Sequence, residues 1–560
     1  MTYVIDDVLA ELATHVQQLL KIAQKPSLEP ANPKFNADFA LPCFKFARQL
    51  GKSPQDIATE LARTLQHPAL AKAESAGGFV NLWLSDQTIA NALQQVAELR
   101  QTFGAHNNLA DKKLVIEVNN PNPFKDLHIG HAYNSIIADT IANLLEADGG
   151  EVHRVSYHGD VGLHVGKSMW AILRYLDGDA SRLQAIKPDE RAAFLSKMYV
   201  QGAGAYDEDP LVRQQIETLT KQSFTLSDPV FAQVYNLCKQ WSFDYAHTML
   251  GRLGCTPSER EYMEREADVL GRQAVEAHIG DVFERSDGAV IFKGEKYGLH
   301  TRVFITSHDT TLYEARDLGL MQLKYNEYQP DTSYIATAEE QRDYFNVVLK
   351  AAELVLPEIA GKTVNIAHGT VKLSTGKMSS RTGQVVNIEW LFDVLDKAIR
   401  ERSESDQRVD TSIVGALRYA MLKVRVGGDI VLNAQESVSL EGNSGPYLQY
   451  AYVRGRSILS KLLDTNFQDA TLKTLQPDER LLAIKLLAYP AITATAIAEL
   501  APHHICSYLY ELTQQFNRFY EHNRIVGDPR QATRAVLAQA YCQVLANGLG
   551  LLHIPAPERL

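Results

Sequence analysis

The chain has 560 residues, 45% hydrophobic and 22% charged, which is the composition of ordinary globular domains and leaves room for three or four of them. A formal charge of −11 speaks against a uniformly basic nucleic-acid sheath, yet residues 1–100 carry 9 basic and 10 acidic side chains and residues 401–560 carry 16 of each, so a polyanion contact at either end stays open. Five scattered cysteines without a CxxC pair argue against a disulfide framework or a Cys-based zinc site and fit a reducing cytoplasm, and the absence of a basic leader or a long apolar run points to neither secretion nor a membrane.

In chain order, residues 1–100 mix helical stretches with turn-rich "PSLEPANPKFNADFA" and end in strand-like "SAGGFVNLWLS", which predicts a small α+β domain. "KKLVIEVNN" is a compact apolar strand, followed by a proline-rich turn. Ile137, Ile141, Leu144 and Leu145 then recur at helical spacing until Gly149-Gly150, after which "EVHRVSYHGD" resumes as strand. This βαβ pattern implies a parallel sheet with a right-handed crossover. Residues 171–300 are mostly amphipathic helix with a hairpin at "RSDGAVIFKGEKYG", and they interrupt a sheet domain that spans 111–395 and resumes at 301. Helical spacing dominates 400–560, so that region is expected to be all-α.

"PNPFKDLHIGH" places His128 and His131 three apart in the first turn of the helix, on one face, where unsatisfied N–H groups and the positive dipole end favour a phosphate. Packing and zinc remain alternatives at this point, the second because His153, His158 and His164 follow closely. Some 250 residues on, "STGKMSSRTG" is a small-residue loop carrying Lys377 and Arg381, suited to bringing cations onto a triphosphate. Thr311 and Glu314 read as a capping box that starts a helix with Tyr313 and Asp317 on one face. Glu117, inside an apolar strand, needs a cationic partner.

Taken together, these motifs resemble the arginyl-tRNA synthetases of class I. "PNPFKDLHIGH", "HGDVGLHVG" and "LYEARDLG" are similar to catalytic elements of that family. "EGNSGPYLQYAYVR", "FNRFYEHNRIV" and "LLHIPAPERL" resemble its anticodon-binding domain, and "PKFNADFA" with "GGFVNLWLS" its tRNA-elbow module. The resemblance implies a Rossmann-like parallel-sheet catalytic domain (111–395) with a helical insertion (171–300), between an α+β N-terminal domain (1–100) and an all-α anticodon-binding domain (400–560). It implies a monomeric cytoplasmic enzyme using ATP with Mg²⁺, L-arginine and tRNA(Arg), without zinc and without a membrane, that activates arginine only with tRNA bound.

By position, the resemblance assigns His128, His131, Lys125 and Lys377 to catalysis, and Gly130, His128, His131, Lys377 and Ser379 to ATP. Ser380 stands where the family usually has the loop's second lysine, and Lys125 occupies a place from which the missing charge can be supplied. Arginine would meet Glu117, Asn122, Tyr313, Asp317 and Gln341; tRNA would meet Phe35, Asn36, Asn81, Tyr447, Tyr450, Arg454, Arg518 and Tyr520, with Tyr452, Phe516 and Arg524 as further candidates. Ala132-Tyr133, Val161 and His164 depart from the family's usual Leu-Arg, Trp and Gln.

Overall fold

The computed structural model describes residues 2–125, 127–374, 387–401, 409–462 and 474–558, which fall into two units, 1–107 with 440–551 and 555–560, and 108–439 with 552–554. The first unit holds an antiparallel sheet ordered Glu29–Pro30, Phe39–Pro42, Phe79–Leu84, Leu70–Ala76, with the helices Val4–Leu20, Pro54–Thr64 and Asp86–Leu99. Ser53 and Ser85 cap the latter two by accepting hydrogen bonds from Asp56 N and Thr88 N. Five helices among the described residues of 440–551 complete this unit, from Gly445–Ser460 to Gln531–Leu551. Arg480, on helix Pro477–Leu487, donates to both Asp38 and Asp86, tying the N-terminal sheet to those helices. Among the described residues of 400–560 the expected all-α character holds apart from the short strand Ile430–Leu432, which pairs with Val371–Leu373, and the residues up to 439 belong to the second unit.

The second unit is built on a five-stranded, wholly parallel sheet in the order Thr363–His368, Thr332–Ala338, Lys113–Glu117, Glu151–His158, Arg260–Met263. Its first strand in sequence is central. The chain builds outward to one side from it and then returns to build the other, so the order reverses between Lys113–Glu117 and Thr332–Ala338, and a crevice for ligands is expected beyond the carboxyl ends there. Buried Val115, Val155, Tyr262, Ala267 and Leu320 form the small core on one face.

Two expectations need correction. Residues 171–300 are not wholly an insertion, because Arg260–Met263 is the edge strand of the main sheet. Conversely Arg302–Ile305 does not continue that sheet: it pairs antiparallel with Ala289–Phe292, which with Glu284–Ser286 makes a separate three-stranded sheet. Four residues of alternating pattern mark a strand without saying which edge receives it. The insertion's helices Arg191–Glu208 and Pro229–Arg252 pack with Leu163–Leu176 around a core that includes Phe231, Tyr235 and Trp241.

Candidate active site

The histidine helix, Ile129–Ala147, begins just past the carboxyl end of the central strand and is buried on nearly every side. His128 is its N-cap residue: its Nδ1 accepts from Gly130 N at 3.1 Å and His131 N at 3.4 Å, and His131 Nδ1 accepts in return from His128 N at 3.2 Å. The two imidazoles thus form a reciprocal capping box, the role Ser and Glu usually play, worth about 1 kcal/mol to the helix start. Their rings stack 3.7 Å apart. A Cβ on Gly130 would stand 3.0 Å from the His128 ring, so glycine here is what lets that ring fold back over the helix mouth.

Burial pushes the His131 imidazole down to about 3, aided by His128 and Lys125, and burial with Lys125 lowers His128. Both rings are therefore neutral at pH 7. Because each Nδ1 accepts a backbone N–H, the ring proton of each sits on Nε2, and the pair presents two N–H donors beside the positive end of a helix dipole. Fully buried Arg418 donates to Asp139 at 2.9 Å and to Thr140, holding the middle of the histidine helix. The three nearby histidines have separate partners: His153 meets Glu151 and Glu259, His158 meets Ser156 and the Pro121 carbonyl, and His164 meets the Gly159 carbonyl at 2.8 Å.

The segment containing Lys377, Ser379, Ser380 and Arg381 lies outside the described residues. The chain re-enters at Asn387, which forms a β-bridge with His128, and Ile388 N donates to the Leu127 carbonyl at 3.1 Å. The first described residues after that segment therefore lie against His128 and Leu127. Lys125 is delivered by a turn in which Phe124 adopts φ +64, its ring buried against Tyr235. Burial lowers its ammonium, opposed by Glu264 and reinforced by Lys167.

A second cluster lies on the sheet face covered by the helices Glu264–Ala277 and Tyr313–Tyr328. Glu117 has the expected cationic partner in Lys324, 2.6 Å away with both side chains buried, and its other oxygen accepts from Asn120. Asn122 Oδ1 accepts from Gly159 N at 2.8 Å. Arg316 reaches Glu264 and Asp268 and donates to the Thr311 carbonyl. The expected capping box does not form: Leu312 is the N-cap residue, Thr311 bonds Asp268, and Glu314 meets Arg302, because each side chain finds a charged partner from another element.

Asp317 differs from its neighbours. It accepts from the Tyr344 hydroxyl at 2.5 Å, and among the described residues it has no ion-pair partner, since Lys324 and Arg316 are turned to Glu117 and Glu264. Burial, with Glu117 and Glu264 adding repulsion, raises its carboxyl to about 7 despite the Tyr344 bond. Tyr313 stands one turn earlier on the same helix, 59% exposed. Gln341 ends the turn that follows Thr332–Ala338, exposed on the other side of the point where strand order reverses. Tyr344 and Glu264 were not singled out beforehand, and from the sequence Lys324 and Arg316 are only possible surface partners of Asp317, whereas they pair with Glu117 and Glu264. They become visible as site residues only when the fold sets which charges are paired.

The candidate RNA contacts divide. Asn81 is buried in its strand, so its side chain is not presented at the surface as expected, and Phe516 stacks on Tyr541 at 3.8 Å inside the helical core. Phe35 and Asn36 stay on the surface of the N-terminal sheet, where Asn36 takes φ +49. Tyr450, Arg454, Arg518 and Arg524 are exposed; Arg454 lies 5.0 Å from the Tyr520 ring, while Tyr447 is half-buried and accepts from Asn517.

Comparison with known proteins adds independent findings. The family model "tRNA synthetases class I (R), catalytic domain" matches residues 88–427, "Arginyl tRNA synthetase N terminal domain" matches 3–84, and "DALR anticodon binding domain" matches 448–560. An arginine–tRNA ligase of Treponema denticola is 29% identical over 94% of each chain, and one of Clostridium acetobutylicum is 26% identical over 97% of each. The solved arginyl-tRNA synthetase of Thermus thermophilus superposes with a TM-score of 0.78 at 22% identity, covering 99% of this chain and 100% of that one.

Proposed function

The chain belongs to the arginyl-tRNA synthetase family, the ATP-dependent ligases of arginine to tRNA, and from that premise we propose how its own residues divide the work. In the first step an arginine carboxylate oxygen attacks the α-phosphorus of ATP, the bond to the bridging oxygen breaks, and pyrophosphate leaves. In the second a terminal ribose hydroxyl of tRNA attacks the arginyl carbonyl and AMP leaves. Neither step needs a protein nucleophile; both need charge stabilised and reactants aligned.

On this reading the Nε2–H groups of His128 and His131 donate to phosphoryl oxygens, most strongly in the pentacoordinate state, while Lys125, Lys377 and Ser379 hold the phosphates and Gly130 underlies the adenine. Mg²⁺ enters with ATP as part of the substrate. Asp317 receives the guanidinium in forked geometry, with Tyr313 and Gln341 beside it. Glu117 acts through Lys324 and Asn120, since both its oxygens are engaged, and the Asn122 amide, whose oxygen is held by Gly159, offers its N–H groups to the substrate. Phe35 and Asn36 on one side, and Tyr447, Tyr450, Arg454, Arg518 and Tyr520 on the other, are the surfaces offered to tRNA, within domains taken as 1–100, 111–395 and 400–560. The enzyme is taken to act as a monomer in the cytoplasm, a compartment that fits five buried cysteines that form no disulfide.

The observation that carries the amino-acid specificity is the lone carboxylate of Asp317, raised to about 7 in a wall where the other buried acids are paired. Such a group gains from a cation that brings its own fork of donors. The test is pyrophosphate exchange with each of the twenty amino acids, with and without total tRNA. Exchange driven by arginine and dependent on tRNA is expected; exchange with another amino acid alone would reject the specificity.

A further inference from the structure

Lys125 stands beside the histidine pair and Lys167 stands near Lys125, and among the described residues neither has a neutralising partner. Lys125 is held by a fixed backbone: Phe124 N donates to Ser242 Oγ at 3.0 Å and the Phe124 ring is buried, so the turn is fastened to the helical insertion. Lys167 lies on helix Leu163–Leu176, three residues after His164 and therefore on its side of the helix. Both ammonium groups rest on one further helix, Arg191–Glu208. Lys125 Nζ is 5.6 Å from the centre of the Tyr199 ring and Lys167 Nζ is 4.5 Å from that of Tyr206. The two tyrosines are seven residues apart, hence on one face. The contact is tight: a Cβ on Gly202, between them, would stand 2.0 Å from the Lys167 carbonyl oxygen.

A tyrosine face attracts a cation without neutralising it, whereas a carboxylate would cancel its charge. Among the described residues neither lysine has a carboxylate within ion-pair distance; the nearby Glu264 carboxylate is bonded to Arg316. Burial and the charge of Lys167 both lower the affinity of Lys125 for its proton, so in the free protein the pair is an unfavourable arrangement. Two like charges near one another, the nearer of them beside two N–H donors, are satisfied by a ligand carrying at least two negative charges.

We propose that Lys167 joins Lys125 in a two-cation clamp on a phosphoanion, the β- and γ-phosphates of ATP and the pyrophosphate they become, making Lys167 a further substrate-binding residue of the ligase reaction. The assignment rests on the function proposed above. It also offers a second fixed cation in a chain whose sequence reads Lys377-Met378-Ser379-Ser380, with serine where the family usually has a second lysine.

The test combines exchange kinetics with footprinting. Lys167→Met is expected to raise the KM for ATP about ten-fold, the loss expected for one charge-assisted contact, with the arginine KM unchanged, and Lys167→Arg to restore most of the loss. The Lys125→Met, Lys167→Met pair should lose less than the product of the single effects. A normal ATP KM in Lys167→Met overturns the clamp, and a raised KM for tRNA with ATP unaffected transfers the cations to the nucleic acid and overturns the ATP assignment. On the wild-type protein, acylation of Lys125 and Lys167 by an amine-reactive reagent should be suppressed by pyrophosphate alone; undiminished labelling of Lys167 overturns the clamp even if a variant fails to fold. Because that arm uses no amino acid, a wild-type enzyme that does not respond to arginine would defeat the functional reading and leave the clamp to be judged by its own result.

Discussion

Replacing Asp317 with Asn should separate two effects of one carboxylate that run in opposite directions. At an effective dielectric of about 20 and a separation of about 4 Å, a carboxylate and a guanidinium attract by about 4 kcal/mol, so losing the charge should raise the arginine KM by about 10²–10³ while the ATP KM stays within about three-fold. The fold responds with the other sign. In the native chain the Asp317 carboxyl is raised from 3.8 to about 7, so between those values the folded protein holds a proton that the unfolded chain has released. Stability from this group therefore falls as pH rises through that window, and the cost is full above pH 7. The span corresponds to at most about 4 kcal/mol; because Asp317 keeps some contact with solvent, a realistic figure is about 1–2 kcal/mol, and losing a charged acceptor for the Tyr344 hydroxyl returns about 1 kcal/mol of it. Asp317→Asn should thus melt level with or up to about 2 °C above wild type at pH 8, and lose that margin at pH 5. The assays are steady-state charging at varied arginine and at varied ATP, and thermal melts at the two pH values. Equal rises in both KM values, or a variant that melts lower at pH 8 than at pH 5 relative to wild type, would refute the reasoning.

The same carboxyl predicts that wild-type arginine affinity strengthens about ten-fold per pH unit between pH 5.5 and 6.5 and levels off above about 7; an arginine KM that does not vary over that range, measured at saturating ATP, would contradict it. Lys324→Met leaves Glu117 buried and uncompensated and should destabilise the second unit by about 3–5 kcal/mol, much of it regained in Glu117→Gln, Lys324→Met, as urea melts of both would reveal. Gly319→Ala puts a methyl 2.0 Å from the Ala267 carbonyl, across the contact that seats the Asp317 helix; we expect about 1–3 kcal/mol of destabilisation and an arginine KM raised more than the ATP KM. An Ala variant with wild-type stability would mean that the helices separate without strain.

How much was legible beforehand differs between the two halves of the site. The histidine pair could be placed from its spacing and from the strand and turn before it, since a helix N-terminus is a local property. There the structure adds a second use for Gly130, room for the His128 ring. The arginine-side cluster was less accessible. Glu117 announced a need for a cation, but Lys324, 207 residues away, could not be identified as the provider. Thr311 and Glu314 fitted a capping box by spacing and were taken instead by Asp268 and Arg302. Asn81 and Phe516 looked like contact residues by type and proved to be interior.

The sequence by itself determined the family, the βαβ start of the sheet and the histidine-bearing helix mouth, because these depend on residues close together in the chain, where periodicity, capping and turn chemistry act directly. Only the tertiary structure decided which carboxylate remains unpaired and which lysines face one another. A charge takes whichever partner the packing brings within a few ångströms, and four helices, a strand and a turn from across the catalytic unit had to come together before Asp317 was left alone and Lys167 was set near Lys125.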